Sequence, residues 1–156
     1  MQPLKVGDQA PDFELAGTGD RKFRLSEVLQ EGKAVVLAFF PAAWSSVCGD
    51  EMSLFQEVQS DFDRLNARLF GISVDGTSTL DAWAQSKGLT FPLLADFHRQ
   101  GAVGDAYGVR LKNGMDGRAL FVIDPGGVIR YSYLSPPDKN PGADGVLDAL
   151  EKLRQA

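Results

Sequence analysis

An α/β layered sandwich opened by an N-terminal hairpin is the fold this sequence predicts, on three observations. Ala34–Phe40 is apolar throughout, as in a strand covered on both faces within a mainly parallel sheet. Beyond it, Met52, Phe55, Val58, Phe62 and Leu65 recur close to the helical period and define one buried stripe. Strand and helix patterns then alternate to the end of the chain. With 156 residues, 44% of them apolar, a single domain over 1–156 has core enough to fold without staples.

The elements follow in order. Phe13–Leu15 and Lys22–Leu25 read as short extended segments joined by Gly17-Thr-Gly-Asp20, a hairpin turn. Ser26 is placed to cap a short helix that Gly32 ends, and Pro41 terminates the strand Ala34–Phe40. One helix is expected from about Val47 to Leu65, with Cys48 in its first turn. Arg68–Val74 reads as a strand, followed by a helix to Lys87 with Thr77 or Ser78 as its cap and Gly88 as its stop. Phe91–Ala95 predicts a short strand, Gln100–Tyr107 a short helix, and Lys112–Gly117 a flexible loop. Ala119–Ile123 and Val128–Tyr133 form strands turned by Asp124-Pro-Gly-Gly127, and a final helix covers Val146–Arg154.

Charge and composition narrow the function. Sixteen Lys and Arg against 21 Asp and Glu give a net charge of −5, and neither sign gathers into a run, which argues against nucleic acids and anionic membranes as partners. One cysteine forms no internal disulfide, no apolar run approaches a membrane span, and no basic segment followed by an apolar stretch opens the chain. A cytoplasmic protein is expected. The single histidine, His98, rules out a histidine-based metal cluster and reads as a partly exposed structural residue; no metal or cofactor is expected.

The lone cysteine is the most informative residue. Cys48 follows Pro41-Ala-Ala-Trp44-Ser45-Ser46-Val47 at a helix start, where unpaired backbone N–H groups and the positive end of the macrodipole stabilise negative sulfur. The alternative is a buried thiol acting as a small hydrophobe. Reduction of a peroxide by a thiol needs a thiolate and donors for the two oxygens, and four features offer them. Pro41 shields the sulfur or merely ends a strand; the Ser45 hydroxyl contacts thiolate or peroxide or caps the helix. Backbone N–H groups of Val47 and Cys48 polarise the substrate. Arg118 brings a permanent positive charge if its strand lies beside Ala34–Phe40, and is otherwise a solvated charge. Asp50 and Glu51, read as first-turn acids, oppose a thiolate if they face it, unless Glu51 pairs with a guanidinium that in turn faces the sulfur.

These residues carry a family resemblance. Pro41-x-x-x-Ser45-x-x-Cys48 resembles the peroxiredoxin motif Pro-x-x-x-Thr/Ser-x-x-Cys, and Gly117-Arg-Ala-Leu-Phe-Val-Ile-Asp-Pro-Gly-Gly-Val-Ile129 resembles the segment carrying that family's arginine. Val6-Gly-Asp-Gln-Ala-Pro-Asp-Phe13, Gly71-Ile-Ser-Val-Asp75, Phe91-Pro-Leu-Leu-Ala-Asp96 and Ala106-Tyr-Gly-Val109 recur in the expected order, so the likeness covers nearly the whole chain. The alkyl hydroperoxide reductase E type is most similar and the bacterioferritin-comigratory type next. The resemblance implies a thioredoxin-like fold, with a mixed central sheet and helices on both faces, and a thiol-dependent peroxidase acting on hydrogen peroxide or organic hydroperoxides. It makes Cys48 the peroxidatic cysteine, oxidised to sulfenic acid; Pro41, Ser45 and Arg118 shape the peroxide pocket and Glu51 supports the arginine. Aromatic residues at helical spacing are more often core, but the resemblance makes Trp44 and Trp83 candidates for the interface of a homodimer.

Two departures from the pattern matter. Serine replaces the commoner threonine at position 45, keeping the hydroxyl but losing a methyl that restricts its rotamers. Where some relatives carry a resolving cysteine five residues after the first, this chain has Ser53. The sulfenic acid must then meet an external thiol, whether low-molecular-weight, a glutaredoxin-like protein or thioredoxin. Two other readings stand beside the peroxidase. A thioredoxin-like thiol-disulfide oxidoreductase is suggested by Trp44-Ser45-Ser46-Val47-Cys48, although serine holds the nucleophile's place. A non-enzymatic redox sensor would use Cys48 oxidation to alter a surface.

Overall fold

The structure is a computed structural model and describes residues 2–97 and 99–155; the expectation for His98 lies outside them. Strands β1 (Glu14–Gly17) and β2 (Arg21–Arg24) form the N-terminal hairpin, with Leu15 paired to Phe23. Helix α1 (Leu25–Leu29) leads to β3 (Ala34–Phe39), every residue of which is buried. Helices α2 (Ser46–Glu57) and α3 (Gln59–Arg64) precede β4 (Ala67–Ser73). Helix α4 (Thr77–Lys87), β5 (Leu93–Ala95), α5 (Ala102–Ala106), β6 (Arg118–Ile123), β7 (Ile129–Ser135) and α6 (Asp144–Gln155) complete the chain.

One seven-stranded mixed sheet runs in the order β2-β1-β5-β4-β3-β6-β7. The parallel part is β3, β4 and β5, while β6 pairs antiparallel with both β3 and β7. Successive residues of the all-apolar β3 point to opposite faces, which is why both faces need cover. Val36 and Ala38 enter a core shared with Met52, Phe55, Phe62, Leu80, Trp83, Val146 and Leu150 of the helices on that side. Val35, Leu37 and Phe39 enter the opposite core with Leu25, Val28, Val103 and Tyr107.

Several local expectations are corrected. The stripe from Met52 to Leu65 is divided between two helices, because Val58 leaves the helical region at φ −103°, ψ 17°. The break still delivers Phe62 to Phe55, with ring centroids 6.1 Å apart. Ser26 lies inside α1 rather than capping it; the Asp12 carboxylate takes its N–H and its hydroxyl, each at 2.9 Å. Thr77 and Ser78 fall within α4, whose N-cap is Gly76, and Gly88 closes that helix in the left-handed region at φ 65°. Among the described residues no helix is long and apolar enough to cross a membrane.

Candidate active site

Two chain segments converge where the parallel strands end. Phe40 makes the last ladder bond of β3, its N–H donating to the Ile72 carbonyl at 2.9 Å, and Pro41, which has no N–H, starts the loop into α2. That loop is fastened from the neighbouring strand: the Asp75 carboxylate accepts the Ala43 N–H at 2.8 Å and the buried Ser73 hydroxyl at 2.8 Å. Trp44 takes the left-handed conformation at φ 68°, and Ser45 becomes the N-cap of α2 in extended conformation. The first helical bond runs from the Gly49 N–H to the Ser45 carbonyl at 2.9 Å, so the N–H groups of Ser46, Val47 and Cys48 precede it and lie at the positive end of the helix.

The second segment is β6. Its antiparallel register pairs Ala119 with Phe39, which sets Arg118 against the C-terminal end of β3. The guanidinium is consequently 2% exposed and the Cys48 sulfur fully enclosed, with Arg118 Nη2 donating to Sγ at 3.1 Å. Nη1 donates to Glu51 Oε1 at 2.7 Å, a buried charge-assisted bond. Nε and Nη2 both donate to the Pro137 carbonyl, at 3.0 and 2.9 Å. Cys48 and Glu51 are three residues apart on one helix face, and that spacing lets a single guanidinium reach both. Burial pushes the Glu51 carboxyl up to about 7, against the opposing hydrogen bond and charge of Arg118.

The structure therefore brings together Cys48, Arg118 and Glu51. Other sequence expectations are altered. The Ser45 hydroxyl donates to the Ala42 carbonyl at 3.0 Å, so in this conformation it neither caps α2 nor contacts the sulfur. Asp50 and Glu51 stand beyond the first turn of α2, Asp50 exposed and Glu51 buried. Of the two tryptophans named for an interface, Trp83 is only 1% exposed, its ring lying against Phe40 with centroids 5.3 Å apart, and it lines the floor of a depression that Trp44 borders. Trp44 is 59% exposed. It borders a depression of about 290 Å³ shared with Ser46, Gly49 and Lys87 beside the enclosed thiol. A cleft of about 520 Å³ lies between the hairpin and the start of α4 and includes none of the Cys48 cluster.

Sequence reasoning missed the Pro137 carbonyl and Asp75 as site-building groups. A backbone carbonyl carries no side-chain signature, and Ser135–Gly145 reads only as a Pro- and Gly-rich connection. Asp75 was legible only as a turn residue.

The AhpC/TSA family profile matches residues 6–132. Alkyl hydroperoxide reductase E of Mycobacterium tuberculosis is 36% identical over 151 residues, covering 96% of this chain and 98% of that one. The chloroplastic 2-cysteine peroxiredoxin of Chattonella marina var. antiqua is 32% identical over 161 residues, covering 97% of this chain and 81% of the other. Among solved structures, peroxidoxin BcpB of Mycobacterium tuberculosis superposes with a TM-score of 0.87 at 32% identity, covering 97% of this chain and 99% of that one. The reduced 2-Cys peroxiredoxin of Plasmodium vivax superposes with a TM-score of 0.89 at 25% identity, over 98% and 83% of the two chains.

Proposed function

From the premise that the chain belongs to the AhpC/TSA family, we propose that it works as a one-cysteine thiol-dependent peroxidase with Cys48 as its nucleophile. The observation that carries this reading is the 3.1 Å contact between the Arg118 guanidinium and the Cys48 sulfur, sealed from water. A permanent cation in such a place favours thiolate over thiol.

The thiolate attacks one oxygen of ROOH, an S–O bond forms as the O–O bond breaks, and the electron pair leaves with RO⁻, which takes a proton to become ROH. Sulfur is oxidised to Cys48–SOH and the peroxide is reduced. Arg118 and the N–H groups of Val47 and Cys48 stabilise charge developing on the oxygens. Pro41 limits access from bulk water, and Ser45 serves as a donor after its hydroxyl turns from Ala42. A first external thiol displaces water from the sulfenic acid to give a mixed disulfide, and a second releases Cys48 as thiol. The thiol supply fits a low-molecular-weight thiol, a glutaredoxin-like protein or thioredoxin, in the cytoplasm. We also assign the working form as a homodimer, with Trp44 at its contact.

Stopped-flow tryptophan fluorescence during stoichiometric peroxide addition tests the reading. Wild type consumes one equivalent rapidly, Cys48→Ser none, and Arg118→Ala reacts slower by roughly 10² or more, the usual scale for removing one preorganised charge donor. Excess peroxide converts Cys48 to sulfinic acid because no thiol of the same chain intercepts the sulfenate, a product that mass spectrometry identifies. Equal rates in wild type and Arg118→Ala overturn the assignment.

A further inference from the structure

Arg118 is oriented by a group that belongs to neither the motif nor its helix. Its Nε and Nη2 form a fork on the Pro137 carbonyl, at 3.0 and 2.9 Å, and the same Nη2 reaches Cys48 Sγ at 3.1 Å. A guanidinium held only by Glu51 through Nη1 would pivot about that bond; a second anchor on the opposite edge of the plane fixes its rotation. The anchor is neutral. It accepts two N–H groups without adding a negative charge to compete with the thiolate, which a second carboxylate would do. Of the five guanidinium protons, four are engaged by Pro137, Glu51 and Cys48 among the described contacts, leaving one on Nη1 for an incoming oxygen.

The carbonyl in turn needs a rigid support. Ser135, at the end of β7, is paired in register with Arg118 and is 3% exposed. Its Oγ lies 3.1 Å from the carbonyl oxygens of both Pro136 and Lys139. The Lys139 N–H closes the same turn on Pro136 at 3.1 Å. Pro136 and Pro137 fix two successive φ angles inside it, so the turn presents its carbonyl at small entropic cost.

We propose that Ser135 is a positioning residue for the peroxidase site: its hydroxyl braces the Pro136–Lys139 turn so that the Pro137 carbonyl holds Arg118 against the Cys48 sulfur. The proposal deepens the peroxidase reading and rests on it.

The test compares wild type with Ser135→Ala, Ser135→Thr, Pro137→Gly and, as a control on the same strand, Ser132→Ala, whose hydroxyl donates to the Leu4 carbonyl. Two quantities are read on the full chain: the pH dependence of Cys48 alkylation by iodoacetamide and the rate of peroxide reduction. Ser135→Ala and Pro137→Gly should move the alkylation profile to higher pH and slow peroxide reduction roughly tenfold, the scale of weakening the hold of the Pro137 carbonyl on the Arg118 guanidinium. Ser135→Thr should return both toward wild type, and Ser132→Ala should change neither. Alkylation needs no peroxide turnover, so it reads the brace even if wild type consumes no peroxide. Should Ser135→Ala fail to fold, Pro137→Gly carries the test, since it loosens the turn with the hydroxyl in place. Unchanged profile and rate in the folded variants, or Ser135→Thr matching Ser135→Ala, overturns the proposal.

Discussion

Arg118 serves two buried acids at once, and the balance between them sets how much positive charge reaches the sulfur. Glu51 Oε1 takes Nη1 at 2.7 Å, while Oε2 is buried with no hydrogen-bond partner among the described residues. Desolvation raises the carboxyl from an ordinary 4.5 to about 7, the Arg118 bond and charge opposing it. The native state thus binds this proton more tightly than the unfolded chain does. Its contribution to stability is complete below about 4.5 and is lost as pH rises through about 7. Above that pH the ionised Glu51 draws on the same guanidinium as the Cys48 sulfur. Glu51→Gln keeps an acceptor for Nη1 and removes the competing charge, so the Cys48 alkylation profile should move to lower pH. Glu51→Ala removes the anchor as well and should slow peroxide reduction. A Glu51→Gln profile displaced to higher pH would show that the carboxylate acts in some other way. The motif singled out Cys48, a separate segment Arg118, and charge pairing Glu51, because each candidate role belongs to a side-chain type; Pro137 was illegible because its role belongs to a carbonyl.

Among the elements, the all-apolar β3, the stop at Gly88 and the Asp124-Pro-Gly-Gly127 turn between the two C-terminal strands were readable because each is local chemistry. What sequence misread depends on distant residues. Lys112–Gly117 reads as a mobile polar loop, yet Asp116 is fully buried, its Oδ1 filling the space a Cβ on Gly104 of α5 would need. Asp96 lies beside it, its two oxygens taken by the Val103 and Gly104 N–H groups at 3.0 and 2.8 Å. Burial first, then the neighbouring Asp96 carboxylate, push Asp116 up to about 9, with Asp105 adding and Arg110 opposing, and both Asp116 oxygens are buried with no hydrogen-bond partner among the described residues. Native protein holds this proton where the unfolded chain has released it, so its stabilisation, complete below about 3.8, is lost as pH rises through about 9. Asp116→Asn stays neutral at every pH and removes this titration. Its melting temperature should gain on wild type as pH rises from 7 to 9, the stability difference widening by up to about 1.4 kcal/mol per pH unit. Parallel melting curves across that range would remove the Asp116 proton from the account.

For the whole molecule, the layered sheet fixes where chemistry occurs: β3 and β4 end together, β6 enters antiparallel beside them, and thiol, guanidinium and loop meet at one rim. The α/β layering followed from patterning, whereas the placement of β6 beside β3 and the division of labour between the tryptophans did not, because strand order is set by distant pairing and helical spacing places Trp83 on a face without saying that Phe40 fills it. Trp44 stands at the rim with 59% of its surface exposed and with a left-handed backbone that favours glycine. A large apolar ring held outward at a strained position suits a contact with a second copy better than it suits an isolated chain. Trp44→Gly separates the two effects. Relief of the αL strain should leave the monomer as stable or up to about 1 kcal/mol more so, while loss of the ring should move dissociation of the proposed dimer to higher protein concentration. Sedimentation velocity over a dilution series, paired with thermal melting, measures both. A variant that stays dimeric to the same dilution as wild type would place the contact elsewhere on the surface, and a variant that loses monomer stability would show that the indole supports its own loop.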